Sequence, residues 1–245
     1  MALIEKNWDR HVAQAEDVAR SPGFLELRDS IVRLAEPSAT DRVLDIGAGT
    51  GLLALALAPR VQSVWALDIS PAMCEYLRTK AASAELDNVE PVLGSAVSLP
   101  LMEESVDLVV SNYCLHHLSD ADKIKSLEEI RRVLRPGGTV VLGDMMFRPS
   151  VATARDRGVV ISKIRALLRR GPGGVVRLLK NAFRFLSGGW EKPARAEWWE
   201  EALRSTEFAD VRVETRHHEG GIAYGVKPAQ DIAPVPAGEA VVRAA

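Results

Sequence analysis

The residues best suited to chemistry fall in one run, Val43-Leu44-Asp45-Ile46-Gly47-Ala48-Gly49-Thr50-Gly51, where a hydrophobic strand feeds three glycines and then the apolar stretch Leu52 to Ala58. Glycines at such a turn let backbone approach a ligand closely and aim helix-start N–H groups at it. The spacing departs from the dinucleotide fingerprint. Counted from Gly47, the third glycine position holds Leu52, and Asp45 stands where a pyrophosphate would be repelled. No Gly-Lys-Ser or Gly-Lys-Thr follows, which argues against a phosphate-cradling P-loop. A nucleoside with a cationic centre and an amino acid end suits the pattern, because a carboxylate then attracts and no phosphate needs a cradle. Asp68 lies 17 residues after Gly51, at the end of the next apolar run, where a carboxylate can accept both hydroxyls of a ribose.

A second group of candidates follows the fourth apolar run. Ser111, Asn112 and Tyr113 stand where ligand and acceptor would meet, but they do not form the Asn-Pro-Pro-Tyr tetrad of enzymes that modify amino groups of nucleic acid bases. His116 and His117 come next, and either can serve as a general base or be a loop-packing residue. His217 and His218 read as residues of a hairpin turn. Trp8 either folds over the ligand or packs a helix. No His, Cys or carboxylate grouping stands at metal-ligand spacing, so no metal is expected. Cys74 and Cys114, 40 residues apart, suggest neither a disulfide framework nor a zinc site.

The elements that must position these residues alternate in type. Arg42–Ile46, Ser63–Leu67, Val89–Leu93, Val106–Val110 and Thr139–Leu142 read as strands; Leu52–Ala58, Pro71–Ala84 and Asp120–Leu134 read as helices, the last closed by Pro136-Gly137-Gly138. Such alternation implies an open, mostly parallel α/β sheet covered on both faces. Residues 4–36 form one or two amphipathic covering helices ending at Pro37. A helix from Trp198 to about Thr206 precedes two strands, Val211–Thr215 and Ile222–Val226, that read as an antiparallel hairpin on the sheet edge. The expected organisation is one domain over 1–227: a helical cover at 1–40, a ligand-binding core at 41–147, a basic helical insertion or lid at 148–196, and the terminal helix and hairpin at 197–227. Residues 228–245, rich in Ala and Pro, form a loose tail.

The chain of 245 residues carries a formal charge of −2, which by itself names no partner. The neutrality is a cancellation. Residues 155–186 hold nine basic residues and one acid, a local +8 that leaves −10 for the rest. Ile161, Ile164, Leu167 and Leu168, then Val175, Leu178, Leu179, Ala182, Phe183 and Leu186, recur there at helical spacing, giving two basic amphipathic helices broken at residues 171–174. Such a pair suits a solvated face, a lid over an acceptor pocket, or a peripheral contact with an anionic membrane. The longest aliphatic run, Leu52 to Ala58, is far shorter than the ~20 residues that cross a bilayer, and the first residues lack an apolar signal core. A cytoplasmic protein is expected.

Five ordered blocks, VLDIGAGTG, ALDIS, LGSAVSLPL, VDLVVSNYCLHHL and LEEIRRVLRPGG, together resemble the class I S-adenosylmethionine-dependent methyltransferases, in particular their ubiquinone/menaquinone-type small-molecule group. The resemblance covers about residues 41–145. It implies a Rossmann-like seven-stranded sheet of order 3-2-1-4-5-7-6 with the last strand antiparallel, and S-adenosyl-L-methionine as cofactor. By resemblance Asp45, Gly47, Gly49, Gly51 and Asn112 belong to the cofactor site. Asp45 and Gly47 lie near its methionine end, Asp68 holds the ribose hydroxyls, Ile69 packs on the adenine, and Ser95 and Ala96 flank the adenine edge. The family usually has Asp where this chain has Ser95, and a serine makes a neutral, weaker bond there. The implied activity is in-line methyl transfer to an O, N or C atom of a small molecule, amphiphilic or anionic, with no nucleic acid partner. The alternative is a non-catalytic cofactor-binding scaffold that meets a membrane or a partner through the basic helices.

Overall fold

Strand β1 (Arg42–Ile46) is buried from Val43 onward, and its alternation sends Val43 to one face while Leu44 and Ile46 go to the other. Burial on both faces is what a central parallel strand requires. Around it the computed structural model assembles β2 (Ser63–Asp68), β3 (Val89–Leu93), β4 (Val106–Asn112), β5 (Leu134–Met145), β6 (Ala209–Thr215) and β7 (Gly220–Val226) into one sheet of order β3-β2-β1-β4-β5-β7-β6. Strands β1 to β5 pair in parallel, and β7 runs antiparallel to both β5 and β6. The order and the reversed last strand agree with the resemblance drawn from the sequence. The structure describes residues 8–147, 154–169, 171–173, 175–176, 180, 191–216 and 219–229. Most of the second basic helix, His217, His218 and residues 230–245 lie outside them.

The helices are α1 (Val12–Ala19), α2 (Pro22–Ala35), α3 (Ala54–Leu57), α4 (Pro71–Ser83), α5 (Asp120–Val133), α6 (Ala154–Leu168) and α7 (Ala196–Ser205). Two apolar layers result. On one face Leu27 and Ile31 of α2, Leu57 of α3 and Leu77 of α4 pack on Val43, Val64, Leu108, Val110 and Val141. On the other, Leu127 and Ile130 of α5 and Trp199 and Leu203 of α7 pack on Leu44, Ile46, Val109, Val140 and Leu142. Both long helices that follow ligand-side loops are capped. Ser70 Oγ accepts from Met73 N–H at the start of α4, with Pro71 in its first turn, and Ser119 Oγ accepts from Asp122 N–H at the start of α5.

The largest departures from the expected boundaries are at α3 and β5. The helix expected over Leu52–Ala58 is a single α turn, followed by a 3₁₀ turn at Ala58–Arg60 that contains Pro59. Strand β5 begins at Leu134 rather than Thr139, because Leu134 pairs with Val106 before the Pro-Gly-Gly bend and the ladder resumes at Thr139–Leu108 with a register shift. Among the described residues no helix is long and apolar enough to cross a membrane.

Candidate active site

The functional candidates gather at the carboxyl ends of β1, β2, β4 and β5, the crevice where open α/β sheets bind ligands. The glycine loop is tied to β2 by backbone bonds: Gly47 and Ala48 N–H both donate to Leu67 O, at 2.8 and 2.9 Å. Asp68 closes the arrangement. Its Oδ2 accepts from Gly49 N–H (2.8 Å) and its Oδ1 from Ser70 N–H (2.9 Å). Partial burial raises its pKa and these N–H donors oppose the rise. Each carboxylate oxygen keeps a further lone pair, so Asp68 can still accept two hydroxyl protons.

Gly49 has φ 52°, and a Cβ built on it would meet nothing nearer than Gly47 O at 4.0 Å, so the loop is open on that side. Ile69, beside Asp68, leaves half its surface exposed, an apolar platform at the crevice edge. Asn112, the last residue of β4, has both amide atoms buried without a hydrogen-bond partner among the described residues. Ser95 Oγ accepts from Val97 N–H at 3.4 Å, within a small turn that pairs Ser95 with Ser98; Ala96 beside it is half-buried. An open glycine loop, a carboxylate with spare lone pairs, an apolar platform and an unpaired amide fit a nucleoside bearing an amino acid end.

Asp45 lies beneath the glycine loop. Its side chain is buried and its Oδ2 accepts from Ala54 N–H at 3.0 Å, holding the start of α3. Burial pushes its pKa up to about 7, with the nearby Asp68 charge acting in the same direction and the Ala54 bond against it.

The second half of the site was only partly legible in the sequence. His116 is 3% exposed, and its Nδ1 lies 2.6 Å from Oδ1 of Asp144, which is 1% exposed near the end of β5. Asp144 Oδ1 also accepts from Met145 N–H (2.7 Å), while Oδ2 is buried with no partner among the described residues. Of the two histidines, burial and this carboxylate single out His116. His117 packs on His116 at 4.0 Å between ring centroids and on Trp8 at 4.7 Å. Tyr113, in the left-handed region at φ 54°, stacks on Phe24 at 4.2 Å and meets His116 edge-on at 6.3 Å. A row of rings from α2 to the 3₁₀ turn at Trp8–His11 thus borders the pair.

The amino-terminal cover spans the crevice loops. Asp9 Oδ1 accepts from Ser70 Oγ (2.5 Å) and Ala72 N–H (3.2 Å), and Lys80 Nζ donates to both Glu16 carboxylate oxygens and to Thr50 O. No metal-ligand spacing is visible along the chain, yet folding brings Glu191 to His116 and His117, with one ligand atom from each within 4.8 Å of the others. The contact is invisible in sequence because Glu191 lies on the distant segment that leads into α7.

A family model described as a methyltransferase domain matches residues 43–138. The demethylmenaquinone methyltransferase of Clavibacter sepedonicus is 32% identical over 214 residues, covering 86% of this chain and 83% of that protein. The chain belongs to the class I S-adenosylmethionine-dependent methyltransferases. Its cofactor is S-adenosylmethionine. The uncharacterized methyltransferase YcgJ of Bacillus subtilis is 39% identical over 114 residues, but that match spans 46% of this chain and 44% of that relative. Among solved structures, phosphoethanolamine N-methyltransferase 2 of Haemonchus contortus with S-adenosyl-L-methionine bound has a TM-score of 0.69 at 18% identity. That match covers 91% of this methyltransferase and 58% of that chain, and the likeness is one of fold.

Proposed function

We propose that this methyltransferase acts on a hydroxyl oxygen of a small-molecule acceptor, with His116 taking the proton and Asp144 orienting His116. The observation that carries the reading is the buried 2.6 Å pair of His116 Nδ1 and Asp144 Oδ1. S-adenosylmethionine, when bound, supplies an electrophilic methyl group. A nucleophile with a ready electron pair needs no base, so a dedicated carboxylate–histidine pair favours an acceptor whose proton must leave. Asp144 keeps the imidazole proton on Nδ1, leaving the Nε2 lone pair to receive the acceptor's proton, and its charge then steadies the imidazolium. The ring row of Phe24, Tyr113, His117 and Trp8 suits a flat acceptor lying against it.

On the cofactor side, Asp68 takes the ribose hydroxyls and Ile69 packs on the adenine, whose edge meets Ser95 and Ala96. Gly47, Gly49, Gly51 and the Asn112 amide border the methionine end, and Asp45 acts there from beneath the loop. We assign α6 to the acceptor side. Its Asp156 is held by Arg195 Nη2 at 2.8 Å, which ties the insertion to the segment carrying Glu191 and supports a lid.

The test is product identification. Purified protein and S-adenosylmethionine are incubated with a panel of phenols, with demethylmenaquinone, the compound named in one relative, and with small-molecule extracts. A product bearing a new O-methyl group is expected; a methyl group on carbon or nitrogen alone would overturn the oxygen assignment.

A second reading adds a location to this activity. Ile161 and Leu168 are exposed seven residues apart, hence on one face of α6, with exposed Arg165 and Arg169 beside them, and Val175 and Val176 are exposed further on. Apolar side chains among basic ones complement an anionic lipid surface. Flotation with phosphatidylglycerol vesicles, absent with phosphatidylcholine vesicles and lost in an Ile161→Glu, Leu168→Glu variant, is expected; equal recovery with both lipids would refute it.

A further inference from the structure

We propose that His116, His117 and Glu191 form a binding site for a borderline divalent transition metal such as zinc. Two imidazoles and one carboxylate are a donor set that leaves a fourth position open, and the nitrogen ligands disfavour magnesium and calcium. The three ligand atoms already lie within 4.8 Å of one another. A tetrahedral zinc site with bonds near 2.0–2.1 Å needs ligand separations of roughly 3.3 Å, so closing the site takes at most about 1.5 Å of side-chain movement.

Two further features distinguish the group from an accidental cluster of surface acids. The first is the support of His116. Asp144 Oδ1 occupies the Nδ1 side at 2.6 Å, which presents Nε2 as the ligand nitrogen, the carboxylate–histidine–metal arrangement that fixes tautomer and ring orientation. The second is the anchoring of Glu191 by its neighbour. Lys192 N–H donates to His116 O at 2.7 Å. The fully buried ammonium of Lys123 donates to Lys192 O at 2.6 Å and to Asp120 Oδ1 at 2.9 Å, under the ring of Trp198. His117 is confined between the rings of His116 and Trp8. Both histidine rings and the backbone beside Glu191 are therefore placed by contacts that do not depend on the metal.

Occupancy has a consequence that rests on the proton-acceptor reading of His116. A metal on Nε2 takes the lone pair that would receive the acceptor's proton, so the metal-bound protein is an inactive state, and metal binding competes with protons for the same nitrogens.

The test uses the full chain after chelator treatment, with cobalt(II) alone as the probe. A saturable visible absorption band of four- or five-coordinate cobalt(II), displaced by zinc, is expected. Glu191→Gln and His117→Ala should each weaken binding at least tenfold. Lys123→Met, which loosens the Glu191 segment without touching a ligand, should weaken it less. No band, or a band that neither ligand variant alters, would overturn the site. Turnover separates the two claims. Zinc inhibition reversed by chelator is expected; a cobalt band without inhibition would sink the proton-acceptor reading while leaving the site, and loss of turnover in Asp144→Asn without any band would do the reverse.

Discussion

Replacing Asp144 by Asn keeps the shape of the His116 pair and removes its charge. Asp144 Oδ1 faces His116 Nδ1 at 2.6 Å and Met145 N–H at 2.7 Å, so an amide oxygen can retain both contacts. What disappears is the attraction between a carboxylate and the imidazolium formed when His116 takes the acceptor's proton. With charge centres ~4 Å apart and an effective dielectric of ~20, that attraction is about 4 kcal/mol. At ~1.4 kcal/mol per decade it corresponds to roughly a thousandfold in rate, an upper value because the neutral hydrogen bond survives. The expected outcome is a fall of about 10²–10³ in kcat, read as release of S-adenosylhomocysteine, with cofactor Kd and acceptor KM within about threefold of the original. A kcat within about threefold of the original, or a loss confined to cofactor affinity, would refute the reasoning.

Three further outcomes follow from the cofactor half of the site. Asp68→Ala should weaken S-adenosylmethionine binding by about 1–3 kcal/mol in calorimetry, since it strands the ribose hydroxyls and the Gly49 and Ser70 N–H groups together; unchanged affinity would contradict the assignment. Gly49→Ala and Gly51→Ala should separate binding from folding. The first adds a methyl to open space at φ 52° and should chiefly lower cofactor affinity. The second, at φ 88°, drives Cβ into Leu77 Cδ1 and should cost about 2–4 kcal/mol in urea unfolding. Asp45, with a folded pKa near 7 against about 3.9 unfolded, makes the native state bind more protons than the unfolded one between those values. Stability therefore falls as pH rises from about 4 to about 7 and levels above it. Asp45→Asn should gain relative to the original over that window, by up to about 4 kcal/mol, and a pH-independent difference would contradict the cause given.

What could be read from the sequence was contiguous. The Gly47–Gly51 loop and Asp68 declare themselves because one strand–turn–helix unit and the next strand end carry everything needed to recognise them. The short α3 was not legible, because Gly51 and Pro59 leave room for one α turn between them, whereas the apolar run alone suggests two. His116 and His117 are equivalent as letters; only folding buries the first against Asp144, 28 residues away and just past the Thr139–Leu142 run that reads as a strand. Glu191 is harder still, since its placement depends on Lys192 N–H, His116 O and the buried Lys123. Asp9 and Glu16, which tie the amino-terminal cover to α4, reach across more than sixty positions of chain and leave no local pattern.

Methyl transfer from bound S-adenosylmethionine in a single turnover, across a series of acceptors of rising hydroxyl acidity, tests the role of His116 most directly. In His116→Gln the rate should be depressed for weakly acidic acceptors and should converge on that of the original protein for acceptors already ionised in solution, because only the former need a proton removed. A deficit of the same size across the whole series would contradict a proton-accepting His116 and leave the residue a packing element.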